Sequence, residues 1–398
     1  MKTETPKLFV EINNSNFIYY VIKYDENENL KIVYKLDVPL IGIENKKITD
    51  YENFFRVMKE NIYLIEKSIN HTFKESILII ENFDTSFLSL SGFKKLNGSQ
   101  IFRENITYII NLLKSYVDEN ESKKTILHIF NSKFLLDNKS TDNLPIGLFG
   151  DFYSHELSFS LINSNDLKNL KNIFEKCNLK ISKILLKSFI IGAYISSQNF
   201  SNGNFFQIYI NDTKSKIILF ENNSLKFAQE FNFGTNIIIQ DICKITSLSK
   251  DIVREILNKI KFNEDIPENE LISKDFFKNE IYKKIKKKLI FKIVFARINE
   301  LIEIMIFKNI NFKYFNEIPR NIFFEFENKS EYECFQNIYE KVFNNNKFFK
   351  IKFMDSLSSE SILNTANELV HFGWKREAIP ISQSKKSLIA RLFDWIFG

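Results

Sequence analysis

Glycine is nearly missing from this chain, with 10 in 398 residues against a usual share of about 7%. Loops that cradle phosphate with backbone N–H groups need glycine, because a Cβ blocks the close approach, so phosphate-binding chemistry is poorly supplied from the outset. Cysteine is scarcer still. Cys177, Cys243 and Cys334 are odd in number, far apart and without a CxxC pair, which argues against a disulfide framework or a zinc site and for a reducing cytoplasm. The four histidines, His71, His128, His155 and His371, lack metal-ligand spacing, so no metal site is expected, and His128 reads as a strand residue with a satisfied hydrogen bond. No GxSxG run or Cys/His pairing suggests a nucleophile, and no catalytic residue is expected. No interior stretch is apolar enough to span a bilayer, and no apolar signal segment opens the chain.

What the chain does contain is enough for real cores. At 398 residues and 44% hydrophobic content it is long enough for two or more domains of roughly 100–200 residues each. Lys, Asn, Ile and Phe abound, Phe reaching 42. Their codons are AT-rich, so base composition accounts for much of the lysine, and a net charge of +6 says little about nucleic acid. The run Lys283–Lys288 lacks interleaved aromatics and reads as a solvated helix face, and no nucleic-acid partner is expected.

The order of elements is repeated. Leu8–Tyr24 reads as strand, tight turn, strand; Asn29–Val38 as a third strand; Tyr51–Ile69 as an amphipathic helix. Far downstream the same order returns, with strands at Phe205–Ile210, Lys216–Phe220 and Ser224–Phe231 and a helix at Asn236–Thr246. Between them Asp84–Asn163 reads as an inserted α/β unit, with a helix near Ser99–Val117 and strands near Thr125–Leu136 and Glu156–Leu161. The duplication is that of the α/β actin-like (ribonuclease H-like) fold, whose two hairpin turns grip nucleotide phosphates.

The last fourteen residues form a distinct signal. Wound as a helix, Lys385–Gly398 places Leu388, Ile389, Leu392, Phe393, Trp395 and Ile396 on one broad face, with Ser387, Arg391 and Asp394 opposite. Lys385 and Lys386 stand where anionic headgroups would meet them, and Phe397 adds apolar surface at the end. The segment is far shorter than the roughly 20 residues a spanning helix needs, so it is expected to lie in a membrane surface. The polar stretch Pro380–Ser384 before it reads as a tether.

Several motifs resemble the bacterial cell-division family FtsA. Ile126–Gly150 is similar to that family's run of strand, histidine and a closing proline–glycine turn, with Pro145, Ile146, Gly147 and Gly150 in place. Asn169–Leu186 resembles its helix and strand with the "CGLK" run, with Asn178 where glycine usually stands. Ile293–Leu301 resembles its helix bearing Arg297 and Glu300. The resemblance implies an actin-like subdomain at 1–83 plus 359–384, the family's insert at 84–163, a second actin-like subdomain at 164–244 plus 318–358, a helical cap at 245–317, and the membrane-targeting helix at 385–398.

The resemblance also marks where a nucleotide would sit, and there the chain departs from the family. The first turn reads Glu11-Ile12-Asn13-Asn14-Ser15, with Asn13 at the usual glycine. The second reads Tyr209-Ile210-Asn211-Asp212-Thr213-Lys214-Ser215-Lys216 in place of a glycine-rich acidic run, and a Gly-Gly adenosine turn is replaced by Phe324-Glu325-Phe326-Glu327. Gly234, Thr235, Arg297 and Glu300 survive as fragments. ATP hydrolysis is not expected; whether the pocket still takes ATP is left open, with Lys214 or Lys216 as charged stand-ins for lost amides. The implied function is an adaptor that holds the C-terminal peptide of the tubulin-like protein FtsZ at the division site. Inner-membrane lipids, further copies of itself in actin-like filaments and later division proteins are its other partners. It would be peripheral on the cytoplasmic face. The alternative reading is an actin-like pilus-assembly adaptor or another membrane-associated scaffold.

Overall fold

The computed structural model describes residues 5–25, 29–81, 83–198, 203–260, 266–277, 280–314, 321–327, 329–344 and 349–378. They fall into two compact units, one taking the described residues of 1–202, 222–227 and 358–378, the other those of 203–221 and 228–357.

In the first unit, β1 (Lys7–Ile12) and β2 (Asn16–Tyr24) are almost wholly buried runs of Phe, Val, Ile and Tyr, while β3 (Leu30–Pro39) alternates and lies at the sheet edge. That contrast is what a sheet covered on both faces at its centre and wetted at its rim requires. A two-residue pair, β4 (Ile43–Glu44) and β5 (Lys47–Ile48), leads into α1 (Tyr51–Ile69). Helix α1 starts where the Asp50 side chain accepts from the Asn53 N–H at 3.1 Å, and ends at Asn70 with a left-handed φ of 52°. It buries Phe54, Val57, Met58, Ile62 and Ile65, one stripe at helical spacing. β6 (Glu75–Ile80) then joins β1 in parallel.

An α/β unit follows, with β7 (Thr85–Lys95), α2 (Arg103–Asn120), β8 (Lys124–Leu136), β9 (Lys139–Thr141) and β10 (Phe152–Asn163). Its antiparallel sheet runs β7-β10-β8-β9, and α2 buries Ile106, Ile109, Ile110, Leu113 and Val117 on it. Gly92 lets α2 come close, since a Cβ there would meet Ile109 at 2.6 Å. The Pro145–Gly150 turn braces the entry to α2. Gly147, at φ +87°, donates its N–H to the Ile101 carbonyl at 2.9 Å, and the Ile101 N–H donates back to Leu148 at 2.9 Å.

Next come α3 (Ser164–Lys176), β11 (Lys180–Leu186) and α4 (Lys187–Ser197). β11 pairs in parallel with β6, so the sheet order is β11-β6-β1-β2-β3. The border expected at 164 therefore moves: residues 164–198 belong with the first unit, because β11 completes the first sheet and does not open the second. Asn178, where glycine was expected, holds a left-handed φ of 59°, which Asn tolerates better than other side chains.

In the second unit, β12 (Phe205–Ile210), β13 (Ser215–Glu221) and β14 (Ser224–Phe231) repeat the opening meander, with residues 224–227 of β14 counted in the first unit. α5 (Thr235–Thr246), α6 (Lys250–Lys259) and α7 (Lys287–Ile302) follow, α7 running on through a π-turn at Glu303–Phe307. Then come β15 (Asn321–Phe326), α8 (Lys329–Asn344) and β16 (Lys350–Met354), with sheet order β14-β13-β12-β15-β16. Phenylalanine fills this core, Phe324 lying 4.9 Å from Tyr339 and 5.6 Å from Phe353 by ring centroid. The lysine run does not form a helix face as expected. Ile285 within it is buried, Lys286 reaches Asn269 at 3.1 Å, and α7 begins only at Lys287. A buried isoleucine in the middle of the run pulls it into an irregular segment. The chain closes its first unit with α9 (Ser359–His371), which packs on α4.

Candidate functional site

Each half of the expected nucleotide pocket is built at a hairpin turn. In the first unit, the β1–β2 turn is closed by Asn13, whose N–H donates to the Asn16 carbonyl at 3.1 Å. Its side-chain Oδ1 accepts from the N–H groups of Ser15 at 2.9 Å and Asn16 at 2.7 Å. In the second unit the β12–β13 turn repeats this at Asn211, bonded by its N–H to the Lys214 carbonyl at 2.9 Å. Asn211 Oδ1 accepts from Thr213 N–H at 3.0 Å and Lys214 N–H at 2.8 Å. Amides of this kind are the ones a phosphate loop turns on its ligand; here an asparagine carbonyl already occupies them.

The start of α5 is committed in the same way. Thr235 N–H donates to the Asn211 carbonyl at 3.0 Å and Asn236 N–H to the Asp212 carbonyl at 2.9 Å. Gly234 is required for this closeness, since a Cβ there would lie 2.0 Å from the Asn211 oxygen. Helix N-termini are ready anion sites when their first amides point outward, but these point into the neighbouring turn.

At the carboxyl ends of β1, β6 and β11, where open parallel sheets usually bind ligands, three charged groups meet. Lys187, first residue of α4, reaches Glu11 Oε1 at 2.8 Å and Glu81 Oε2 at 3.1 Å. The Glu11 side chain is 3% exposed and that of Glu81 15%. Burial works against the Lys187 charge, yet the two carboxylates outweigh it and hold the ammonium above its ordinary pKa. The helix dipole disfavours a cation at this end, so the acid pair is what keeps it there.

No family model matches the chain. It is 21% identical over 253 residues to the cell division protein FtsA of Buchnera aphidicola subsp. Acyrthosiphon pisum (strain APS), covering 64% of this chain and 60% of that one. To the FtsA of the Baizongia pistaciae subspecies (strain Bp) it is 22% identical over 272 residues, covering 67% and 63%. The chain thus spans less than two thirds of either relative. Among solved structures, the PilM-PilN type IV pilus biogenesis complex matches with a TM-score of 0.51 at 8% identity, over 92% of this chain and 95% of that one, a likeness of fold alone.

In sequence the chain is similar to FtsA, and its fold is actin-like. Within that fold, the structure gathers only some of the expected site residues. Asn211, Asp212, Thr213, Gly234 and Thr235 cluster at one turn, where Thr235 Oγ1 also reaches Asp212 at 3.4 Å. Lys214 is turned to Glu230 at 2.8 Å. Lys216 lies on β13 opposite Tyr209. Arg297 bonds Asp241 of α5 at 2.5 Å and Glu300 at 2.6 Å, so this pair braces two helices. Phe326 ends β15, and the Glu327 N–H donates to the Ile210 carbonyl at 3.1 Å. In the first unit Glu11, Asn13 and Ser15 are engaged as above, and Asn14 is exposed at the turn. The membrane-binding residues, Lys385 to Phe397, lie outside the described residues, as does the tether Pro380–Ser384.

Lys187 and Glu81 were not expected. Each directly follows a buried apolar run, Ile184–Leu186 and Ile77–Ile80, and a charge at the carboxyl end of a buried strand is the signal that marks them. Among the described residues no cluster of His, Cys, Asp and Glu could hold a metal ion, and no helix is long and apolar enough to cross a membrane.

Proposed function

We propose that this chain is a cell-division adaptor. Its actin-like body receives the C-terminal peptide of FtsZ on the second unit, while Lys385–Gly398 holds the assembly in the cytoplasmic surface of the inner membrane at the division site. The observation that carries the reading is the likeness to two curated FtsA proteins over about two thirds of the chain. The amphipathic end segment, with its two entry lysines and its Trp and Phe, supports a peripheral attachment. One such helix binds reversibly, and self-association into filaments raises the effective membrane affinity without new contacts. Later division proteins join the same scaffold. ATP turnover has no part in this reading, which the engagement of both turns supports.

The test is recruitment of purified FtsZ to anionic liposomes by the full chain, compared with a version ending at Gln383. FtsZ co-sediments only with the full chain if the reading is right. Flotation of the full chain without FtsZ points to another client, a pilus-assembly partner among them, and failure to float removes the membrane role altogether.

A further inference from the structure

We propose that the chain supplies, from its own side chains, what a metal-bound nucleotide supplies to an actin-like fold. The Asn13 and Asn211 carbonyls stand in for phosphate oxygens, and the Lys187 ammonium stands in for a divalent cation between Glu11 and Glu81. Each unit is then closed and complete with no nucleotide bound. This deepens the no-turnover part of the proposed function and is independent of the membrane and FtsZ parts.

The strongest support is repetition. Two turns at equivalent places in the duplicated halves carry the same residue, the same N–H to carbonyl closure and the same pair of bonds to the side-chain oxygen. A phosphate entering either turn would exchange one acceptor for another. Such an exchange leaves little to offset the freedom a ligand loses on binding. In the second unit the amides of Thr235 and Asn236 are spent on the turn carbonyls as well. A divalent ion would face a tethered competitor, because Lys187 is covalently fixed at the head of α4 and its local concentration does not fall on dilution. The residues present therefore do not fit a metal–nucleotide pair.

The lysine also explains why the acid pair persists. Two carboxylates this buried repel unless a cation answers them, and removing the ammonium exposes that need. The experiment is thermal unfolding of the full chain with Mg²⁺ and ATP, with Mg²⁺ alone and with EDTA, alongside fluorescence anisotropy of a labelled ATP. The wild-type midpoint is expected to be the same in all three conditions, with no saturable anisotropy change. The Lys187→Ala variant is expected to melt lower and to regain about 3 °C or more in millimolar Mg²⁺ or Ca²⁺. A shift of the wild type by ATP and Mg²⁺ overturns the proposal, and so does a folded Lys187→Ala variant indifferent to both ions. Should that variant fail to fold, the wild-type titrations alone decide, a shift overturning and its absence supporting. Liposome recruitment of FtsZ is read separately, so either proposal can fail without the other.

Discussion

Acidification offers a sharp test of the first unit, through His155 on β10. The residue is 0% exposed, with its ring 4.9 Å from Phe134 and 6.0 Å from Tyr153. Nε2 lies 3.0 Å from Asn131 Oδ1, and Nδ1 has no hydrogen-bond partner among the described residues. The proton therefore sits on Nε2, and an imidazolium would carry a second N–H with nothing to receive it. Burial, with Arg376 as the lesser cause, pushes the pKa down from 6.5 to about 4. Because the folded value is depressed, the unfolded chain holds a proton between those limits that the folded chain refuses. Stability is then undiminished by this group above pH 6.5 and falls as the pH drops from there toward 4. At about 1.4 kcal/mol per pH unit, the full window is worth about 3 kcal/mol. Hydrogen exchange of β10 amides, measured from about pH 7 to about pH 4.5 and corrected for intrinsic exchange, reads this locally in a chain of two units. The His155→Gln variant keeps a donor for Asn131 and loses the titration, while every other titratable group is shared by both proteins and cancels. Equal pH slopes for wild type and variant would refute the argument.

Two further outcomes follow from close contacts within the units. Gly234→Ala drives a Cβ onto backbone atoms of the β12–β13 turn and is expected to cost about 2–3 kcal/mol, read as lost exchange protection at Thr235 and Asn236; unchanged protection there would show that the turn yields freely. The Glu377 carboxylate, 2% exposed, lies 2.8 Å from His128 Nδ1 and 3.3 Å from Lys183 Nζ. Glu377→Gln strands a buried lysine and should destabilise the first unit by about 3–5 kcal/mol in urea. Burial alone would raise the Glu377 pKa, but the His128 bond and the Lys183 charge prevail and hold it below its ordinary value. Its contribution is thus present at neutral pH and disappears as the pH falls below about 4.5.

Local pattern carried much of the architecture. Tyr51–Ile69 is legible as a helix because its apolar stripe, its Asp50 cap and its Asn70 terminator all agree. The repeated meander is legible because buried runs such as Phe205–Ile210 and their turn residues recur in the same order. What local pattern does not carry is partnership. The apolar run ahead of Leu186 announces a strand, but nothing local tells which sheet edge it joins, and the border at 164 goes astray for that reason. The same limit hides the site: Glu81 and Lys187 meet only because β6 and β11 run side by side. The expected hydrogen bond of His128 is present, yet its partner Glu377 lies 249 residues away. Loss of glycine from both turns is visible in the sequence; that asparagine then plugs each turn with its own side chain is visible only in three dimensions.

Where the described chain ends, it is sewn to a strand. Asn131 N–H donates to the Arg376 carbonyl at 2.7 Å and Ala378 N–H to the Ile129 carbonyl at 2.8 Å, so this stretch runs antiparallel along β8. The mechanical consequence is that tension delivered at Ala378 passes directly into the sheet. It reaches a short ribbon riveted by the buried Glu377 carboxylate, with Trp374 Nε1 fastened to the Asn223 carbonyl at 2.7 Å just upstream. A pull on Ala378 is therefore a pull on β8 and its sheet, and the force at which that ribbon tears sets how hard the unit can be tugged at this point before it comes loose.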